Sequence, residues 1–342
     1  MRIRSLTSAV AAVATAAGLA ACGGASDSTS DSGSSSSSGA KTNLSLVAYS
    51  VPKPGFDKVI PAFQKTAAGK NVTFSQSYGP SGDQSRKVVA GLSTDIVNFS
   101  VEPDMTRLVK AGIVDANWNQ DQNKGLAFTS IVTIVVKKGN PKGIHDWDDL
   151  LKPGVEVVTP NPFSSGSAKW NLLAPYAAKS DGGKNPQAGL SYLSSLIKNH
   201  VKVQPKSGSE ASETFLQGQG DALITYENEA LFLEGQGDPV EHVTPPQTFK
   251  IENPIAVTKN TKHADAANAF KEFAYSTEGQ TLWAQAGFRP VDQQVFSKFA
   301  SKFPAPQKLW TIDDLGGWAK VDPALFDPDN GSVAKIYNAA TS

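Results

Sequence analysis

Val155-Glu-Val-Val-Thr159 is followed by Pro160-Asn-Pro-Phe-Ser164-Ser-Gly-Ser167 and then by Ala168-Lys-Trp-Asn-Leu-Leu-Ala-Pro-Tyr-Ala-Ala178. The first run is short, rich in Val and bounded by Gly154 and Pro160, which predicts a strand over 155–159. The last run predicts a helix over 168–178. Between them stands a loop that ends in small polar residues. A strand, a Ser/Gly loop and a helix in that order form the repeating unit of an α/β sheet, with the loop placed at the start of the helix.

The same alternation extends in both directions. Strands are expected over 43–49, 71–76, 94–99, 130–136, 222–225 and 254–257. Helices are expected over 55–68 with Pro61 inside, 82–92, 104–111, 145–151, 186–199, 227–236, 264–275 and 277–286, and another ending near Gly218 or Gly220. Ser130–Val136 (SIVTIVV) is almost uniformly apolar, which predicts a buried parallel strand. Thr277-Glu-Gly-Gln280 has the spacing of a capping box. The pattern argues for an α/β fold with mostly parallel sheets, without an internal repeat.

Composition narrows the function. The 342 residues contain 32 Lys+Arg and 32 Asp+Glu, so the formal net charge is zero, which argues against a nucleic-acid partner held by bulk positive charge. The single Cys excludes an intrachain disulfide or a cysteine zinc cluster. The part left to fold, about 300 residues, sits at the usual limit of a single core, so two lobes are expected.

The N-terminus carries Arg2 and Arg4, then an uncharged run from Leu6 to Ala21. That run is shorter than the ~20 apolar residues of a bilayer span, so residues 1–21 read as an export signal. Its end, Leu19-Ala20-Ala21-Cys22, resembles the bacterial lipoprotein cleavage signal. The resemblance implies that Cys22 becomes the N-terminus and carries lipid, anchoring the body to the outer face of the cell membrane. An ordinary signal peptide before a chance Cys is the alternative. Residues 22–41 are rich in Ser and Gly and read as a flexible tether.

Three loops share one design: Gly79-Pro80-Ser81-Gly82, Ser164-Ser165-Gly166-Ser167 and Ser207-Gly208-Ser209. Each places small residues at an expected helix start. The first N–H groups of a helix lack internal partners and carry the positive end of its dipole. Three such ends point to an anion site, and three ordinary Ser caps are the plain alternative. Enzyme signatures are weak. The four His stand apart, no P-loop or G-x-S-x-G is present, and Ser-x-x-Lys pairs lack their companion motifs. No metal or cofactor is expected. Asp146, Asp148 and Asp149 around Trp147 read as the acidic first turn of a helix. The six Trp fall at scattered spacings and read as packing.

Several longer strings add a resemblance. They are Lys138-Gly-Asn-Pro-Lys-Gly-Ile-His-Asp-Trp147, Leu150-Leu-Lys-Pro-Gly-Val155, Thr159-Pro-Asn-Pro-Phe-Ser-Ser-Gly-Ser-Ala-Lys-Trp-Asn171, Glu227-Asn-Glu-Ala-Leu231, Ser276-Thr-Glu-Gly-Gln280, Phe288-Arg-Pro290, Thr311-Ile-Asp313 and Gly316-Gly-Trp318. Over about 44–318 the chain resembles the sulfate/thiosulfate-binding proteins of ABC importers, and 159–171 is the most specific part. The resemblance implies a type II periplasmic-binding-protein fold: two α/β lobes, 42–132 plus 252–342 and 133–251, joined by two crossover strands. It implies a monomeric, non-enzymatic carrier that closes by a hinge on sulfate or thiosulfate and delivers it to an ABC permease.

In that family, backbone amides and neutral side chains hold the anion. Carried over residue by residue, the site would be Ser81, the Ser165 hydroxyl, the Gly166 and Ser167 amides, the Gly208 amide, Tyr226 and Ser50. Tyr226 stands where the family usually has Trp, Ser50 where it usually has Asp, and Ser167 replaces a Gly. A phenol both donates and accepts, whereas an indole N–H only donates. Another tetrahedral oxyanion, molybdate or phosphate, is therefore the nearest alternative ligand, and a secreted hydrolase on the same scaffold the more distant one.

Overall fold

The computed structural model describes residues 41–341. The leader 1–21, Cys22 and all of the tether except Lys41 lie outside the described residues. The chain runs through β1 (Thr42–Tyr49), α1 (Lys53–Phe63), β2 (Val72–Gly79), α2 (Ser81–Val89), β3 (Ile96–Asn98), α3 (Glu102–Lys110) and the long β4 (Leu126–Lys137). It continues with β5 (Val157–Val158), α4 (Gly166–Ser180), α5 (Pro186–Ser195), β6 (Val201–Val203), α6 (Gly208–Leu216), β7 (Ala222–Tyr226), α7 (Glu227–Gln236) and β8 (Val240–Val243). A second long strand, β9 (Gln247–Val257), precedes α8 (Ala264–Tyr275), α9 (Thr277–Gln285), β10 (Arg289–Pro290), α10 (Gln293–Lys298), β11 (Lys308–Trp310), α11 (Trp318–Val321) and α12 (Ser332–Thr341).

Strand order is β2-β1-β3-β9-β4-β7-β5-β6. β1 pairs in parallel with β2 and β3, and β5 in parallel with β6 and β7. These two parallel patches are joined by β9 and β4, which run antiparallel to each other. Every parallel strand of both patches therefore ends at a loop that enters a helix, and such strand ends are where open α/β sheets hold ligands.

The two crossing strands correct two expectations. β4 contains the run SIVTIVV, yet it pairs antiparallel with β7, β8, β9 and β10. Its uniform apolarity comes from burial on both faces, and a central strand of a mixed sheet has that as surely as a parallel one. β9 is 11 residues long rather than the expected 254–257. Thr248 and Asn253 break its apolar pattern but are fully buried, because Thr248 Oγ1 donates to Val132 O (2.5 Å) and Asn253 Nδ2 to Ser100 O (2.9 Å).

Local signals held to different degrees. Asp146 caps the 3-10 turn Trp147–Leu151, and Asp149 accepts from the His145 and Asp146 amides, so this acidic run is a capping box. The cap of α9 is Ser276, whose hydroxyl accepts from Gly279 N (3.1 Å), one residue before the expected Thr277. The segment from Lys308 packs toward residues of 133–251. β11 pairs with the Gln247–Phe249 end of β9, and Val333 and Tyr337 of α12 share a core cluster with Leu193, Leu196 and Ile197. The apolar face of α12 is thus spent on the helices that follow β5.

Cores form on each side of the crossing. One packs Phe56, Trp283, Phe128 and Phe288, with Phe128 and Trp283 ring centres 4.3 Å apart. Gly55 makes room for it, since a Cβ there would lie 2.2 Å from the Trp283 ring. The other packs Trp147, Trp170 and Tyr192 against β4 and β7.

Two buried carboxylates at the start of α7 behave differently. Glu227 forms a two-pronged pair with Arg289 (2.6 and 2.8 Å). Arg289→Met would leave that carboxylate buried and uncompensated, and is expected to cost about 3–5 kcal/mol in denaturant unfolding, with part recovered in the Arg289→Met/Glu227→Gln pair. Among the described residues, Glu229 has no ion-pair partner. Burial pushes its carboxyl from the usual 4.5 up to about 7, opposed by the Ser212 hydroxyl and reinforced by Glu213. A raised folded-state value contributes stability that is full below 4.5 and lost as pH rises through about 7. The unfolding midpoint of the natural protein is therefore expected to fall relative to Glu229→Gln between about pH 5 and pH 8. A constant difference across that range would contradict this.

Candidate anion-binding site

The α4 start is built for an outside acceptor. Ser165 has extended backbone angles (φ −106°, ψ 120°) and its side chain does not cap the helix. The Gly166 and Ser167 N–H groups thus begin a 15-residue helix with no intrahelical partners. Ser165 and Ser167 are buried. α2 starts the same way after Pro80, again without a side-chain cap. α6 differs, because Ser207 does cap it by accepting from Glu210 N (3.2 Å), which leaves Gly208 N–H as a first-turn amide.

The fold brings these starts together. Gly82 N donates to Ser164 O (3.1 Å), joining the first turn of α2 to the loop before α4. A Cβ on Gly166 would meet Ser100 Cβ at 2.8 Å, and one on Gly208 would meet Val51 Cγ2 at 2.8 Å and Ser167 Oγ at 3.3 Å. Both glycines are therefore required by close approach. Ser50 is half-buried between Tyr49, which packs on Tyr226 with ring centres 6.4 Å apart, and Val51. Tyr226 is fully buried, with its hydroxyl 2.7 Å from Ser100 Oγ. Ser81, Gly166 and Tyr226 thus come together at Ser100, Ser165 and Ser167 flank Gly166, and Gly208 approaches Ser167 and Val51, the neighbour of Ser50.

The hydroxyl of Ser81 is already spent. It donates to Asp104 Oδ2 (2.6 Å) and accepts from Ser100 N (2.9 Å). A hydroxyl has one proton, so Ser81 has only its backbone N–H to offer a ligand. Asp104 is in turn held by Arg107 (2.8 Å), which also donates to Ser85 Oγ (2.8 Å). Two cations beside these starts are paired with carboxylates, Lys169 with Asp322 (2.5 Å) and Arg86 with Asp83. Burial raises the Tyr226 phenol well above its ordinary value, so it stays protonated across the neutral range.

A groove of 690 Å³ opens beside the seam, bordered by Gly82, Ser164, Ser165 and Gly166. No group of three or more His, Cys, Asp or Glu able to hold a metal occurs among the described residues. The His residues serve elsewhere: His200 Nδ1 lies 2.9 Å from Val155 O and His242 Nδ1 lies 2.8 Å from Glu234, while His145 and His263 are exposed.

Sequence reasoning missed Ser100, Asp104, Trp170 and Asn253. Ser100 follows β3 and precedes α3, so the small-residue logic used for the other loops applies to it, but a single Ser between Phe99 and Val101 carries no pattern. Trp170 read as packing, yet its indole also donates to Ser100 O (2.7 Å).

Residues 44–289 match the family model for bacterial extracellular solute-binding proteins. The sulfate-binding protein of Synechococcus elongatus is 38% identical over 98% of this chain and 96% of its own. The thiosulfate-binding protein of Pseudomonas aeruginosa is 33% identical over 85% of this chain and 91% of its own. Among solved structures, the sulfate-binding protein SubI from Mycobacterium tuberculosis is 62% identical with a TM-score of 0.83, covering 84% of this chain and 100% of that one. The chain belongs to the bacterial extracellular solute-binding proteins, in the group of the sulfate- and thiosulfate-binding proteins.

Proposed function

We propose that the protein captures sulfate, with thiosulfate as a second ligand, outside the cytoplasm and delivers it to an ABC permease. The observation that carries this reading is the approach of three helix starts, α2 and α4 at Ser100 and α6 at Ser167, with Arg86, Arg107 and Lys169 already paired to carboxylates. Sulfate has no proton at neutral pH and needs donors only. The site offers the Ser81, Gly166, Ser167 and Gly208 amides, the Ser50 amide, and the Ser165 and Tyr226 hydroxyls. Hydrogen bonds to a charged group contribute ~1.5–3 kcal/mol each. Several of them, less the cost of closure, reach the about −8 kcal/mol of micromolar binding.

On this reading the protein is a monomeric carrier without catalytic chemistry. Its two lobes are 42–132 with 252–307 and 133–251 with 308–341, hinged at β4 and β9. No helix of the described residues is long and apolar enough to cross a membrane. Attachment at the outer face of the membrane is assigned to lipid on Cys22, with 22–41 as the tether. Palmitate labelling of cells producing the protein is expected to mark it, and Cys22→Ser to abolish the label and release the protein. A label unchanged in Cys22→Ser would contradict the anchor.

Calorimetry with sulfate, thiosulfate, molybdate and phosphate tests the ligand. Micromolar or tighter binding of sulfate is expected. No heat with sulfate and clear heat with another anion would overturn the assignment. Ser165→Ala is expected to weaken sulfate binding about tenfold to a hundredfold, and an unchanged affinity would remove Ser165 from the site.

A further inference from the structure

Trp170 stands four residues after Gly166 in α4, so the two share one face of the helix. Gly166 makes its close approach to Ser100 there, and the Trp170 indole reaches the same residue. Its Nε1–H donates to Ser100 O (2.7 Å), and both residues are fully buried. Chemistry fixes the direction of this bond, since an indole N–H only donates and a carbonyl oxygen only accepts.

Each end of the bond is held by its own surroundings. The indole packs against Phe249, with ring centres 5.7 Å apart, and edge-on against Trp318 at 4.8 Å. The Ser100 carbonyl also accepts from Asn253 Nδ2 (2.9 Å). The proposed lobe boundaries put Trp170, Phe249 and Trp318 in one lobe and Ser100 and Asn253 in the other. The Trp170–Ser100 bond therefore crosses between the lobes, from a ring fixed in one to a carbonyl fixed in the other. A second bond crosses nearby, from Gly82 N to Ser164 O (3.1 Å). Both join protein atoms to protein atoms, so their contribution does not depend on which anion the cleft holds.

We propose that Trp170 is an affinity-setting positioning residue: its indole latches the α4 lobe onto Ser100, which prolongs the retention of a bound anion without choosing among anions. This rests on the reading that the two lobes close on sulfate. A bound anion leaves only after the lobes part. Parting breaks the Trp170 bond and hands both of its ends to water, while Asn253 keeps its own bond to Ser100 O. Closure thus gains the net value of one hydrogen bond, which favours the closed form about threefold to tenfold. Selectivity stays with the groups that touch the anion.

The test is the release of radiolabelled sulfate and selenate, chased with unlabelled sulfate and followed by rapid filtration. It compares the natural protein, Trp170→Phe, and a protein carrying at position 170 the benzothiophene analogue of tryptophan, in which sulfur replaces the N–H. The analogue keeps the size of the ring and its packing on Phe249 and Trp318, and removes only the donor. Both changes are expected to speed release about threefold to tenfold, by the same factor for the two anions, with association little altered. The analogue decides the outcome alone if Trp170→Phe does not fold. Release from the analogue at the natural rate would overturn the proposal by giving Trp170 a merely packing role. A shift in the preference between sulfate and selenate would overturn it too, by placing the effect among the anion's own contacts. Sulfate binding by the natural protein with unchanged release from the analogue refutes this proposal alone. A natural protein that binds no sulfate refutes the functional reading, and this proposal with it.

Discussion

Gly166 has no side chain, and the approach of the α4 start to Ser100 depends on that. A single Cβ would stand 2.8 Å from Ser100 Cβ, closer than two such carbons can come. With the space open, the Gly82 amide reaches Ser164 O, the Trp170 indole reaches Ser100 O, and the Tyr226 phenol reaches Ser100 Oγ. These contacts join β3 and α2 on one side of the crossing strands to α4 and β7 on the other. They also surround one buried serine with helix starts whose amides have no partner within their own helices.

Electrostatics on the proposed reading is local. The chain has no net charge, so bulk attraction for a dianion is absent. Each helix end supplies roughly half a positive charge. Those ends cost little to bury, because their N–H groups exchange one hydrogen-bond acceptor for another. A buried Lys or Arg would need its own carboxylate when the cleft is empty. The pairs Lys169–Asp322 and Arg107–Asp104 show where such partners go in this protein: they fix the scaffold around the site.

The helix starts were more legible in the sequence than the middle of the sheet. Small residues before the helices at 81, 166 and 208 mark α2, α4 and α6 because the helix starts themselves demand them. The central strands were harder. The run SIVTIVV reports burial on both faces but not the direction of its neighbours, and β9 hides its length because Thr248 and Asn253 are buried by long-range hydrogen bonds. Ser100 was invisible for the same reason. Its role comes from partners 19, 70, 126 and 153 residues away, and no local pattern encodes them. The placement of α12 beside α5 likewise depends on which apolar face is left uncovered, which only the assembled fold decides.

The central claim is that amide ends, not cations, hold the ligand. A crystal structure with selenate in place of sulfate tests this most directly, since selenium can be located by its anomalous scattering. The account predicts one selenium between the starts of α2, α4 and α6, with oxygens on the Gly166, Ser167 and Gly208 amides and the Tyr226 hydroxyl. A selenium in the adjoining groove, coordinated by Arg86, Arg107 or Lys169, would contradict it.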